Sequence, residues 1–262
     1  MPLALGRLTH DPAALARAPQ LGQYAAAWGA PPPQLDRDAI AYAPRLYRND
    51  TLPDCTAAGL ANAADAQAAL NGLGAVNIDE QHVMNFYGAC VGCADPAQLA
   101  ATDGARELDV LSYQARNGFD VGLQAPLVAD CATFDPQNRG LLANVMAHLG
   151  SGYLGVALAT ADRAAAEPGG VWDTNTPAGA GDSTPGSWGL HCLLCWSYDG
   201  LGDTDVVKLA TWGGLQSATW RWVASRIQEA HAVIFRDLVS ANQPFGGLAY
   251  DDLKSATLAW AV

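Results

Sequence analysis

An α+β fold is predicted by three features of the chain. Helical patterning fills its first half, two-residue alternation fills its second, and the two kinds of segment are segregated rather than interleaved. Residues 55–71 are rich in alanine and leucine, contain no proline, and meet Gly72 and Gly74 as stops, which predicts a buried helix. A second helix is expected over 79–89, where Val83, Phe86 and Tyr87 recur at helical spacing. A third is expected over 103–118, with Leu108, Leu111 and Ala115 on one face and Gly118 at its end. Residues 139–149 give a fourth, through Leu141, Leu142, Val145 and Leu149. The period then changes, and strands are expected over 153–158, 190–198, 206–212, 220–223 and 230–236. Between the first two lies a loop over 168–189, rich in Gly, Pro, Thr and Asp. Loops of that length in a compact domain are often functional.

Three regions are expected. Residues 1–46 form an N-terminal arm with a rigid break at Pro31-Pro32-Pro33 and a short helix near 13–18. Residues 47–240 form the main domain, and 241–262 a C-terminal tail. The chain has 262 residues and a net charge of −12. That balance opposes non-specific nucleic-acid binding and docking on anionic membranes. No apolar run reaches the ~20 residues of a bilayer span. The first residues lack the apolar core of a secretory signal, which points to a reducing cytoplasm.

Cys55 stands at a predicted helix N-terminus after the turn-rich Asn49-Asp50-Thr51-Leu52-Pro53-Asp54. Unpaired N–H groups and the helix dipole favour an anion there, so its thiol pKa is expected to fall. A cysteine among alanines is also a common core residue. His191 follows the long loop, 136 positions beyond Cys55, and opens a strand. A thiolate nucleophile needs such an imidazole as base and then as acid, within ~4 Å in a resting site. A histidine packed at a sheet edge is the structural alternative. His10, His82, His148 and His231 compete poorly, lying in the arm, on helices and at the start of a late strand.

Over roughly residues 47–235 the chain resembles the papain-like cysteine peptidases, collinearly. Asn49 stands six residues before Cys55, where that family has an oxyanion-hole Gln. Asp54-Cys55-Thr56 enters an alanine-rich helix like the family's nucleophile helix. Gly170-Val171-Trp172, Gly189-Leu190-His191 and Leu209-Ala210-Thr211-Trp212-Gly213 fall where the family has its Gly-Val-Tyr, His and Asn-Ser-Trp-Gly segments. More narrowly, the chain is similar to papain-fold proteins encoded by phages and prophages. The resemblance implies a papain-like α+β fold and a thiol peptidase or amidase acting on a peptide or protein. In it Cys55 is the nucleophile, His191 the base, Asn49 an oxyanion donor, and Trp212 and Trp172 shield the site. No cofactor or metal is implied.

Two positions depart from the family pattern: Asn49 is shorter than Gln, and the imidazole-orienting Asn falls on Ala210. Thr211 is adjacent, but simple alternation turns it to the other side of its strand. Either another group orients His191, or a Cys–His pair acts alone, or the fold persists without activity as a structural or assembly component of a virion. Its partners would then be other virion proteins, and its location a particle rather than the host cytoplasm. Two CxxC pairs, Cys90/Cys93 and Cys192/Cys195, invite a zinc reading. Residues i and i+3 of a strand face opposite sides, so Cys192 and Cys195 are not expected to converge on a metal. Residues 199–205 lack the spacing of a calcium loop.

Overall fold

The computed structural model describes residues 3–74, 76–166, 170–175, 179–238 and 247–261. Eight helices and seven strands are present among them. The helical half comprises α1 (Pro12–Arg17), α2 (Cys55–Leu70), α3 (Glu80–Val91), α4 (Glu107–Asn117) and α5 (Arg139–Leu149). Local chemistry sets most of their starts. Asp11, Asp79 and Asn138 each accept a backbone N–H from the first turn, and Gly92 and Gly118 close α3 and α4. In α2 every residue from Cys55 to Ala68 is buried. A helix packed on all sides admits only small residues where its neighbours come closest. A Cβ at Gly59 would lie 3.1 Å from both the Cys192 sulfur and the Tyr153 ring.

The strands are β1 (Ala129–Phe134), β2 (Gly152–Leu158), β3 (Val171–Trp172), β4 (Gly189–Tyr198), β5 (Val206–Thr211), β6 (Gly214–Thr219) and β7 (Ile227–Phe235). They form one sheet in the order β1-β7-β2-β4-β5-β6-β3, antiparallel except where β3 meets β6. One core lies on the α2 side, with Cys55, Cys192, Leu194 and Ala210. The other lies on the α5 side, with Leu142, Leu193, Cys195 and Trp222. Cys192 and Cys195 therefore belong to different layers. Two short helices, α6 (Thr160–Ala164) and α7 (Trp220–Arg226), and a C-terminal helix, α8 (Tyr250–Ala261), complete the fold.

Residues 220–223 were expected to be a strand and are instead the start of α7. Thr219 caps that helix by accepting the Trp222 N–H at 3.3 Å. The aromatic and β-branched run reads as β from propensity, and the cap with tertiary packing overrides it. Strands β1, β3 and β6 and helices α6 and α8 carried no sequence expectation, β3 lying within the expected 168–189 loop. Within 241–262, α8 packs on β1 and α4, with Thr257 Oγ1 taking the Cys131 N–H at 3.2 Å. Residues 167–169 and 176–178 of the long loop lie outside the described residues.

The N-terminal arm is tied to the body along its length. Leu35 and Tyr198 exchange backbone hydrogen bonds at 2.8 and 3.1 Å. The Arg37 guanidinium lies 4.4 Å over the Trp196 ring and donates to the Trp196 carbonyl at 3.0 Å. Residues 4–8 run between the helical half and the sheet. Leu8 donates to Ala105 O and Ala105 donates to Gly6 O, at 3.0 and 2.9 Å, while Arg7 N–H faces Leu190 O at 3.4 Å.

Candidate active site

Cys55 is the first residue of α2, follows the fully buried Asp54, and is itself 1% exposed. Its sulfur faces backbone groups of Cys192 and Gly6. Burial nonetheless pushes the thiol up to about 12, against the lowering expected from a helix N-terminus. The covering arm is the reason: Gly6 lies against the sulfur where solvent would otherwise stand. Gly6 itself has no room for a side chain, because a Cβ there would collide with the Pro53 backbone.

His191 is fully buried on β4. Its Nε2 shares a 2.7 Å hydrogen bond with Thr211 Oγ1, and the Trp212 ring stacks on the imidazole with centroids 4.2 Å apart. Nδ1 has no hydrogen-bond partner among the described residues, so no hydrogen bond joins it to the Cys55 sulfur. Burial, reinforced by the nearby Arg7 charge, lowers its pKa to about 3 and keeps the ring neutral.

Thr211 was expected to turn away from His191, and it does not. The pairing of β4 with β5 shifts between Cys195 and Ser197, so Leu194 opposes Ala210. Thr211, one residue on, thereby lies on the face of Leu209, where its hydroxyl reaches His191, and Ala210 points into the α2 core. A single bulged residue decides which of two neighbours reaches the imidazole. Trp212 and Gly213 then form a two-residue hairpin turn with φ of 42° and 76°. A tryptophan in that left-handed region is strained, and stacking on His191 helps to hold it there.

Because β5 pairs with β4 only from Leu194 onward, the β4 edge at residues 190–192 is open on that side. The Cys55 sulfur meets the Cys192 backbone at this edge, and Arg7 meets the Leu190 carbonyl there. The arm thus lies along the same edge of the histidine strand that the thiol meets.

Asn49 is 3% exposed, and its amide donates to Asp54 Oδ1 at 3.1 Å and to Leu52 O at 3.5 Å. Burial raises the Asp54 carboxyl to about 8 despite that bond. Trp172 is fully buried, lies edge-on to Trp212 at 6.4 Å and stacks on Trp222 at 4.6 Å. It supports the ring over His191 without touching His191 itself.

No protein family and no curated protein sequence matches the chain. Solved structures do. Xylellain, a cysteine protease from Xylella fastidiosa, superposes with a TM-score of 0.60 at 12% identity, over 89% of this chain and 96% of that one. The chain has the papain-like fold. Digestive procathepsin L 3 from the larval midgut of Tenebrio molitor shares it, with a TM-score of 0.56 at 13% identity over 85% and 77% of the two chains. So does the ragweed pollen cysteine protease Amb a 11 in its proform, at 0.57 and 12% over 86% and 72%. Within the papain-like fold, Cys55 opens the central helix and His191 lies on the strand whose backbone that helix start touches. No helix among the described residues is long and apolar enough to cross a membrane.

Proposed function

We propose that the chain is a thiol-dependent hydrolase of peptide or amide bonds. The observation that carries this reading is the state of His191. Its Nε2 is held by Thr211, one face is covered by Trp212, and Nδ1 is left without a partner beside the strand edge where Cys55 lies. An imidazole fixed at one nitrogen and free at the other is arranged to move a proton. Cys55 would attack the carbonyl carbon as His191 takes the thiol proton. His191 would return that proton to the leaving amine, leaving a thioester that water hydrolyses to a carboxylic acid and free thiol. The Cys55 N–H and the Asn49 amide would face the oxyanion once the amide turns from Asp54. Thr211 would take the place of the orienting Asn.

The arm closes this site, which accounts for a buried thiol and a neutral imidazole together. Opening it should restore reactivity. In a full-length Arg7→Gln variant, hydrolysis of a quenched fluorescent peptide mixture is expected, and it should vanish in Cys55→Ala and in His191→Ala. A silent assembly role in a phage particle predicts the opposite: no hydrolysis and no Cys55 alkylation above the other five cysteines, however the arm is loosened.

A further inference from the structure

Beside the covered Cys55 site lies a closed ionic pocket that the chemistry above does not use. The side chains of Arg7 and Glu229 form an ion pair in which neither is exposed to solvent, and Arg7 also donates to Gln228. His231 Nε2 lies 3.3 Å from Glu107 Oε2 and 3.4 Å from Glu229 Oε2, with both partners fully buried. The pocket is assembled from the start of α4, from neighbouring positions of β7, and from β2. There Gly155 makes the room: a Cβ at that position would come within 2.8 Å of both the Arg7 guanidinium and Glu107, and within 2.6 Å of Glu229. Both Glu107 oxygens, Glu229 Oε2 and Arg7 Nε lack aligned hydrogen bonds. The pocket holds more acceptors than its resident satisfies, and a guanidinium has five donors in a planar fork.

The resident side chain comes from the residue next to Gly6, which lies against the Cys55 sulfur, and its backbone pairs along both walls of the cleft. We propose that this pocket selects an arginine side chain of a bound peptide, and that Arg7 occupies it as an internal stand-in. The proposal rests on the cleft being a peptide site, and it adds the identity of the residue read there. Two carboxylates beside a histidine, all sealed from water, reject apolar and acidic side chains by leaving charges unpaired. They distinguish arginine from lysine through the fork geometry, which an ammonium does not match. Of the three groups that could otherwise hold a metal ion, Glu229 pairs with the Arg7 guanidinium, while His231 lies between Glu229 and Glu107.

The test reads binding rather than turnover, so it stands whether or not the chain proves catalytic. In full-length Cys55→Ala/Arg7→Gln protein, fluorescence anisotropy is measured with dye-labelled tetrapeptides Leu-Gly-Xaa-Leu, where Xaa is Arg, Lys, Leu or Glu. The Arg peptide should bind at least about tenfold more tightly than the others, the size expected for lost charge-assisted hydrogen bonds. Cys55→Ala alone, with Arg7 in place, should bind none of them, and adding Glu229→Gln to the double variant should erase the preference. Should Arg7→Gln not fold alone, n-propylguanidinium is expected to restore its far-ultraviolet circular dichroism where n-propylammonium does not. Equal binding of all four peptides, or equal rescue by the two cations, would overturn the proposal. Loss of hydrolysis with the arginine preference intact would instead remove only the catalytic reading.

Discussion

His191 and His231 make an instructive pair. Both are fully buried, both lie on the central sheet, and β2 stands between their strands. Their protonation is nonetheless driven in opposite directions. Burial lowers His191 to about 3, and its neighbours Thr211 and Trp212 bring no negative charge to oppose this. Burial also lowers His231, but hydrogen bonds and charge from Glu107 and Glu229 outweigh it and raise the group to about 9. The same desolvation thus leaves one ring neutral and the other charged. The difference lies in the partners: a hydroxyl and an indole face one ring, and two carboxylates face the other.

The largest expected effect breaks the charged half of this comparison. Glu229→Ala leaves the Arg7 guanidinium buried without its ion-pair partner. Breaking such a pair costs about 3–5 kcal/mol. His191→Gln removes a neutral, singly hydrogen-bonded ring and should cost about 1–2 kcal/mol. Urea unfolding of the two variants measures the gap. If Glu229→Ala proves no more costly than His191→Gln, the pocket is not held by charge.

A smaller effect sharpens the comparison through pH. Between about 3 and 6.5 the unfolded chain binds a proton at residue 191 and the folded chain does not. Stability from His191 is therefore lost as pH falls through that window, by at most about 1.4 kcal/mol per pH unit. For His231 the folded state holds the extra proton. Its contribution is complete below 6.5 and is lost as pH rises through about 9. The groups facing it are Glu107, whose carboxyl is raised by burial and by Glu229, and Glu229 itself. Burial would raise Glu229 as well, but His231 and Arg7 together hold it down. Ring NMR should show His231 charged at pH 8 and His191 neutral at pH 5. A His191 that titrates near 6.5 would mean that the arm leaves the site open in solution.

Much of the helical half was legible in the chain because α3 and α4 each end at a glycine and α3 and α5 start at a capping residue. The places of Cys55 at a helix start and of His191 on a strand were legible because each is a local feature. The rest depends on register and on distance. Thr211 was assigned to the wrong face because the shift at Cys195/Ser197 has no sequence signature: one inserted residue exchanges Ala210 for Thr211. The pocket joins Arg7 to Glu229 across 222 positions, with no periodicity to announce it. His231 read as a strand histidine for the same reason. Gly155 was the one available hint, an isolated glycine within a β pattern, where close approach of other groups is a standard cause.

The smallest expected effect tests the neutral half. Thr211→Val keeps the β-branched shape and removes one hydrogen bond to His191 Nε2, a loss of about 1 kcal/mol in stability. A merely structural contact would stop there. If Thr211 fixes the tautomer and angle of the ring, kcat on a cleavable peptide should fall by more than that stability loss accounts for, with KM little changed, because orientation matters most in the transition state. Thr211→Ser retains the hydroxyl and should recover most of the rate. Ala210→Asn is the informative contrast. The bulge turns residue 210 into the α2 core beside Cys192 and Leu194, so an amide there should destabilise the fold and leave Thr211→Val unrescued. Rescue by Ala210→Asn would show instead that β4 and β5 pair one residue out of the register described above.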